Sequence, residues 1–463
     1  MLVSGRFQPR DRRRFITSSN QDISINGVDL VFSNTVPPHA RVYKTAAGDE
    51  AIISYNPQTG GIIGSLHTQD GRSFALEKCG GSYIFEEFDV ASFPTEGGET
   101  DGGDVVEDGG SGTNTTASTR QGQKTYSVMF YYTPEFAAAT PNIEDFLDQV
   151  IAETNQGYAN SQIPITVTKF CSELSTVSDT NTADLLGDFK TSKGSYDALR
   201  NTADVAALLA LNFGYCGMAS FNTYSNGRTV SVTKKSCALG YYSFGHEIGH
   251  NFGATHNVES ASNYAYSYGH AHLIEQGSAS RGYRTILGYN APNHGTRVNY
   301  YSNPAVTFPT TGTPTGVAGV SDNAAIFMRN IDTLSALGDE SAACGGGGGG
   351  GAATSGPATT TAAPASCDPA DNDWTCCSAS SPCDLGQVRR SLKLVLEKYL
   401  HTPGRLRQRQ RVRRGAGVRL QQLRRRGLQN GLLRARRHHN YNNYNNYNHN
   451  HHSTSGLLQP SRQ

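Results

Sequence analysis

Apolar and polar positions change rhythm several times along the chain, and each change predicts a different kind of structure. Residues 20–94 alternate short apolar runs with Gly and Asn turns, as in Val28-Asp29-Leu30-Val31-Phe32, Ala51-Ile52-Ile53-Ser54-Tyr55 and Gly61-Ile62-Ile63-Gly64. That pattern predicts a small β-rich module of short strands. Residues 95–122 are Gly, Asp, Glu, Ser and Thr with almost nothing apolar, the composition of an exposed linker. From Lys124 the texture changes again. Tyr126 to Tyr132 predicts a strand, Asn142 to Asn160 has helical spacing (Ile143, Phe146, Leu147, Val150, Ile151), and Ile163 to Phe170 predicts a second strand. Ala183 to Leu199 is helical with a Gly break, and Asp204 to Leu211 is apolar enough for a buried strand. Strands alternating with helices predict an α/β layer over residues 123–344. Residues 345–366 are Gly, Ala, Thr and Pro, a flexible tether, and residues 367–387 hold Cys367, Cys376, Cys377 and Cys383, the start of a cysteine-dense module.

A length of 463 residues allows two or three domains and a core of ordinary size in at least one. The net charge of +1 is a sum of unlike parts, because the middle is near neutral or acidic and residues 388–463 are heavily basic. It therefore says nothing about partners. No apolar run is long enough to cross a bilayer, so a membrane span is not expected. Residues 1–19 form an unstructured start, Arg-rich from Met1 to Phe15 and without the apolar segment of a secretory signal. Read literally this is cytosolic, but nine Cys, several of them paired-looking, favour an oxidising setting. The expectation is a secreted protein with a misplaced start codon.

The chemistry is concentrated in His246-Glu247-Ile248-Gly249-His250-Asn251-Phe252-Gly253-Ala254-Thr255-His256, which reads HExxHxxGxxH. On a helix opening near Tyr242, His246 and His250 lie one turn apart on one face and can reach one ion, with Glu247 beside it as a base. Gly253 permits the sharp turn that brings His256 round, completing a three-histidine Zn2+ site with one position open for a water. An open position distinguishes a catalytic zinc from a structural one.

HEIGHNFGATH is similar to the extended zinc motif of the metzincin metallopeptidases. The flanking SCALGYYSFGHE and YRTILGYN resemble the reprolysin-type branch, near the microbial peptidyl-Asp metallopeptidases, and the resemblance covers Lys124 to Cys344. It implies a metzincin-type catalytic domain, a twisted mixed sheet packed with helices and the zinc helix under the cleft. An edge strand near Arg228 to Lys234 would line that cleft and pair with an extended substrate. It also implies a zinc-dependent metalloendopeptidase acting on protein or peptide substrates through a zinc-bound water activated by Glu247, made as a latent precursor and working as a monomer. The β-rich module then resembles a propeptide. Its lone Cys79 is either a thiolate that occupies the open zinc position, as in the family's cysteine switch, or a buried or mispaired Cys. The methionine turn of the family falls on Tyr283 to Tyr289, with Leu287 where the family has Met; apolar bulk is kept and a sulfur is lost. Tyr289 falls where some metzincins place an oxyanion donor, its other reading being packing. Asn299 to Pro304 and Asp322-Asn323-Ala324 resemble the family's closing segment, followed by a last helix to Leu337. The similarity to peptidyl-Asp enzymes hints at acidic side chains in the substrate.

Several features stay open at this level. Cys171, Cys216, Cys237 and Cys344 can pair in three ways; Cys216 with Cys237 is preferred because it would brace the loops entering the zinc helix. His270 and His272 form an HxH pair in a Gly- and Tyr-rich stretch and read as solvated histidines of a surface loop. Asn114-Thr115-Thr116 is a glycosylation sequon. In the tail, Gly404 to Val412 can be encoded so that the next frame spells Gly-Asp-Cys-Asp-Ser-Asp-Ser-Glu-Cys, and Gln387-Val388 can be encoded as a splice donor. The tail then reads as a retained intron from Val388 to about Pro403 followed by out-of-frame translation. The alternative is a basic tail binding nucleic acid or metal, although no nucleic acid is expected as a partner. A catalytically silent binding module on a metzincin scaffold is the rival to the enzyme reading.

Overall fold

A computed structural model describes residues 22–97, 122–339 and Cys344, short of 26–27, 57–59, 70, 80–81, 181, 262–264, 276–281 and 292–293. The sequon, the linker beyond residue 97 and everything after Cys344, including the cysteine-dense stretch and the basic tail, lie outside the described residues.

The first part is a seven-stranded antiparallel sheet whose strands follow one another in chain order: β1 (Ile23–Ile25), β2 (Val28–Val36), β3 (Ala40–Lys44), β4 (Glu50–Tyr55), β5 (Ile62–His67), β6 (Ser73–Cys79) and β7 (Ser82–Glu87). Side chains on alternate positions meet on one face, where Leu30, Tyr43, Ile53, Leu66, Phe74, Leu76 and Phe85 pack together. Cys79 closes β6, and its side chain is outside the described part of the molecule, so the cysteine-switch expectation is not addressed by it.

The second part is a mixed α/β layer. It contains β8 (Lys124–Tyr132), α1 (Pro134–Ala138), α2 (Ile143–Asn160), β9 (Ile165–Leu174), α3 (Leu185–Thr191), α4 (Tyr196–Arg200), β10 (Val205–Ala210), β11 (Gly217–Ala219), β12 (Val230–Lys234), α5 (Lys235–Ala238), α6 (Ser243–Phe252) and α7 (Asn323–Leu334). The sheet order is β11-β12-β10-β8-β9, parallel except for β11. Its central strands are covered on both faces, which is why they read as continuous apolar runs rather than as alternation. Tyr126, Val128 and Phe130 of β8 point toward α2, α6 and α7, whereas Met129 and Tyr131 point toward α3 and α4. The Gly break expected within Ala183 to Leu199 is a turn at Gly194 (φ +80°) that separates α3 from α4. Thr133 caps α1 by accepting from the Phe136 N–H ahead of Pro134, and Asp322 caps α7 by accepting from the Ala325 N–H.

The edge of this sheet differs from expectation. Residues 230–234 form an inner strand, and the edge on that side of the sheet belongs to β11, only three residues long. Two disulfides tie the layer, Cys216–Cys237 (Cα–Cα 5.3 Å) joining the approach to β11 to α5, and Cys171–Cys344 (Cα–Cα 5.7 Å) joining β9 to the end of the described chain. No helix among the described residues is long and apolar enough to cross a membrane.

Candidate metal centre and cleft

Helix α6 begins after Tyr242 in the left-handed region (φ 62°) and ends at Gly253 (φ +93°). Space as well as backbone selects glycine there, because a Cβ at position 253 would lie 2.6 Å from Asn222 Oδ1. The chain then turns back: Ala254 N–H reaches Gly249 O at 3.0 Å, Thr255 pairs with His270 in an isolated bridge, and His256 arrives beside the helix.

The three histidines meet. His246 Nδ1 donates to Ile286 O (2.9 Å) and His250 Nδ1 donates to Ala254 O (3.0 Å). Carbonyls only accept, so both rings carry their proton on Nδ1 and turn a bare Nε2 lone pair inward. The His246 Nε2 lies 3.1 Å from His250 Nε2 and 3.3 Å from His256 Nε2. Lone pairs so close repel unless a cation sits between them. Tetrahedral Zn–N bonds of about 2.0–2.1 Å put ligand nitrogens roughly 3.3 Å apart, so the donor set and its spacing fit zinc. Among the described residues this is the one group of three His, Cys, Asp or Glu placed to hold a metal. Burial, and next the charge of the neighbouring His250, holds His246 well below the usual imidazole range, which keeps it neutral as a ligand must be.

Around the histidines, Glu247 is buried with its carboxylate against β11; a Cβ on Gly217 would fall 2.2 Å from Glu247 Oε1. Leu287 is fully buried beneath the helix, and a Cβ on Gly249 would lie 2.9 Å from its Cδ1, so it supplies the floor that the methionine turn was expected to supply. The Tyr289 ring lies 3.7 Å, centroid to centroid, from the His256 ring, its N–H donates to Asn257 Oδ1 (2.9 Å), and its hydroxyl reaches into the cleft.

Two findings overturn expectations. His270 is buried, not solvated, and its Nδ1 donates to His256 O (3.0 Å), so it backs the third histidine. The start of the supposed linker is exposed only at Thr95. Glu96 and Gly97 are buried in the cleft, with Cys216 N–H donating to Thr95 O (2.9 Å), Gly97 N–H to Gly217 O (2.7 Å) and Tyr289 Oη to Gly97 O (3.0 Å). The Glu96 carboxylate accepts from Arg297 Nη1 (2.5 Å) and from Ser243 Oγ (2.8 Å) at the first turn of α6. A buried cation needs a partner, and Arg297 takes its own from a segment whose composition alone reads as solvated. Neither Arg297 nor Ser243 carries a motif that would have singled it out in the sequence.

A family model described as metallo-peptidase family M12, of the reprolysin type, matches residues 122–302. The peptidyl-Asp metalloendopeptidase of Stenotrophomonas maltophilia (strain R551-3) is 30% identical over 353 residues, 72% of this chain and 76% of the relative. Proteins of the same name from Xanthomonas campestris pv. campestris (33% over 203 residues, 42% of this chain and 47% of the relative) and Pseudomonas fragi (31% over 156 residues, 34% and 85%) are also similar. The chain belongs to the reprolysin-like metallopeptidases of the metzincin type, alongside the microbial peptidyl-Asp metalloendopeptidases.

Proposed function

We propose that this metalloendopeptidase is a secreted zinc enzyme, made latent, in which His246, His250 and His256 hold the ion, Glu247 is the base and Tyr289 is the oxyanion donor. The observation that carries the reading is the convergence of three Nε2 atoms at 3.1 and 3.3 Å with two Nδ1 atoms tied to carbonyls. When bound, zinc would polarise the scissile carbonyl and make a water molecule acidic enough to attack near neutral pH. Glu247, one residue past the first ligand, takes the proton of the attacking water and passes it to the leaving amine. Its burial against Gly217 keeps bulk water away from that transfer. Tyr289 donates to the carbonyl oxygen that gains charge, as its hydroxyl does to Gly97 O at 3.0 Å. The edge of β11 holds an extended peptide by backbone bonds, as it holds Thr95 to Gly97.

The named specificity of the relatives supports a preference for acidic residues in the substrate. Two disulfides support an oxidising compartment. Occupation of the cleft by residues 95–97 supports latency.

Glu247→Gln tests the mechanism. It keeps the shape of the side chain and removes the base, so hydrolysis of a denatured protein substrate should fall by about 10²–10⁴-fold with one equivalent of zinc still bound. Retention of full activity by that variant, or a wild-type enzyme that keeps working in the presence of a chelator, would overturn it.

A further inference from the structure

The mechanism uses the histidines, Glu247 and Tyr289, but not the buried ion pair beside them. Arg297 and Glu96 are each 2% exposed at the side chain. The guanidinium also donates to Tyr241 O (2.9 Å) and lies over the Tyr241 ring at 4.4 Å, so it is held from two sides. Its carboxylate partner sits at the first turn of α6, where the helix dipole and the Ser243 hydroxyl both favour negative charge. These are the parts of a prepared carboxylate pocket.

The pocket adjoins the catalytic centre. Gly217 touches the Glu247 carboxylate on one side and is bonded by Gly97 N–H, and the next carbonyl in that segment, Gly97 O, is held by Tyr289. The residue that fills the pocket, Glu96, therefore directly precedes the residue whose carbonyl meets the oxyanion donor. Glu96 Oε2 and Arg297 Nε find no partner among the described residues, so the pair is single-stranded where a guanidinium can offer two parallel bonds. The chain's own ligand fits incompletely.

We propose that Arg297, assisted by Ser243, receives the acidic side chain of the substrate beside the scissile bond, and that Glu96 fills the same pocket in the uncleaved chain as a built-in competitor. This rests on the endopeptidase reading above. It adds the residue that reads the carboxylate and the segment, Thr95 to Gly97, that denies substrates access to it. Release of that segment frees the pocket and the β11 edge together, because both are occupied by the same three residues.

The test uses the full-length, zinc-loaded chain as wild type, Glu96→Gln, Glu96→Gln/Arg297→Gln and Glu96→Gln/Arg297→Lys, with two peptides that differ only by Asp or Asn at one position. Glu96→Gln should hydrolyse the Asp peptide at least about 10-fold faster than wild type, with kcat/KM favouring Asp over Asn by about 100-fold. Arg297→Gln should bring that ratio near 1, and Arg297→Lys, which keeps the charge and guards against misfolding as the cause, should keep it well above 1. Proteinase K supplies a readout independent of activity: Glu96→Gln should be cut between Phe93 and Gly97 at least about 10-fold faster than wild type. An Asp-to-Asn ratio that survives Arg297→Gln overturns the assignment of Arg297. Equal proteinase K cutting of wild type and Glu96→Gln overturns the built-in competitor. Were none of the chains to hydrolyse either peptide, even after digestion of the linker, the endopeptidase reading would fall instead, and the protection measurement would still decide the Glu96 contact.

Discussion

Helix α2 has two buried faces made of opposite materials. One face carries Phe146, Leu147, Val150, Ile151 and Tyr158 into the apolar interior beneath the mixed sheet, which also holds Phe244 and Ile248 of α6. The other carries Asp145, Gln149, Glu153 and Gln156 against the seven-stranded sheet and is equally buried. There Asn56 donates to Asp145 (2.6 Å), Ser54 to Gln149 (2.7 Å), Gln149 to Ile52 O (2.9 Å) and Asn34 to Gln156 (3.2 Å). Apolar contact across this seam comes from Ala152 with Val36, Ala40, Val42 and Ile52. A surface meant to stay buried gains from being apolar, whereas one that must later face water keeps polar groups and pairs them meanwhile. The contrast is between an apolar interior and a polar, paired seam, and a seam of that kind is what the proposed latency requires.

The strongest test of that contrast lies on the apolar face. Leu147 is fully buried, and Leu147→Ala should cost about 2–5 kcal/mol in urea unfolding. The loss should be nearly the same in the full chain and in a chain cut after the cleft segment, since among the described residues only the partly buried Ile63 of the seven-stranded sheet packs against that cluster. A loss confined to the full chain would erase the distinction between the faces.

What could be read from the sequence follows the same division between local and distant causes. The strands at Tyr126 to Tyr132 and Asp204 to Leu211, the apolar stripe of α2 and the HExxHxxGxxH turn are legible because neighbours in sequence impose them: periodicity for the elements, and positive φ for Gly253. Glu96 was not legible, because its burial depends on Arg297, 201 residues away. The edge strand β11 is three residues long, too short to show any pattern, and the edge that the family resemblance implied falls instead on the strand that follows it. His270 reads as solvated until the bridge between Thr255 and His270 places it behind His256. The polar residues at 145, 149, 153 and 156 lie outside that apolar stripe, and the seven-stranded sheet makes them interior.

A smaller effect should separate the faces by pH. Glu153 is enclosed in the seam, and burial above all pushes its carboxyl up to about 7, against hydrogen bonds such as that from Gly240 N–H (2.8 Å) that pull the other way. The folded chain thus binds a proton between about pH 4.3, the unfolded value, and 7, where the unfolded chain does not. Stability from this group is full below the unfolded value and is lost as pH rises through 7, by up to about 3 kcal/mol. Unfolding midpoints of the full chain should therefore fall from pH 5 to pH 8 more steeply in wild type than in Glu153→Gln. Parallel profiles for the two would remove Glu153 as the cause.

The smallest effect is the most specific. Gln149→Leu removes the partner of Ser54 Oγ and of Ile52 O, leaving an acceptor and a hydroxyl buried and unpaired. In the full chain that should cost about 1–3 kcal/mol. In a chain whose seven-stranded sheet has been removed, both of its partners on that sheet are gone and Gln149 bonds to water and to Glu153 Oε1 (3.4 Å) on its own helix, so the same substitution should cost within about 0.5 kcal/mol of nothing. The comparison with Leu147→Ala then becomes a sign of what each face is for. Two residues two positions apart on one helix, both fully buried, should respond oppositely to loss of the sheet: the leucine keeps its cost and the glutamine loses it. Equal costs for Gln149→Leu in both chains would mean that water does not replace Ser54 and Ile52, and that the seam is no more releasable than the core.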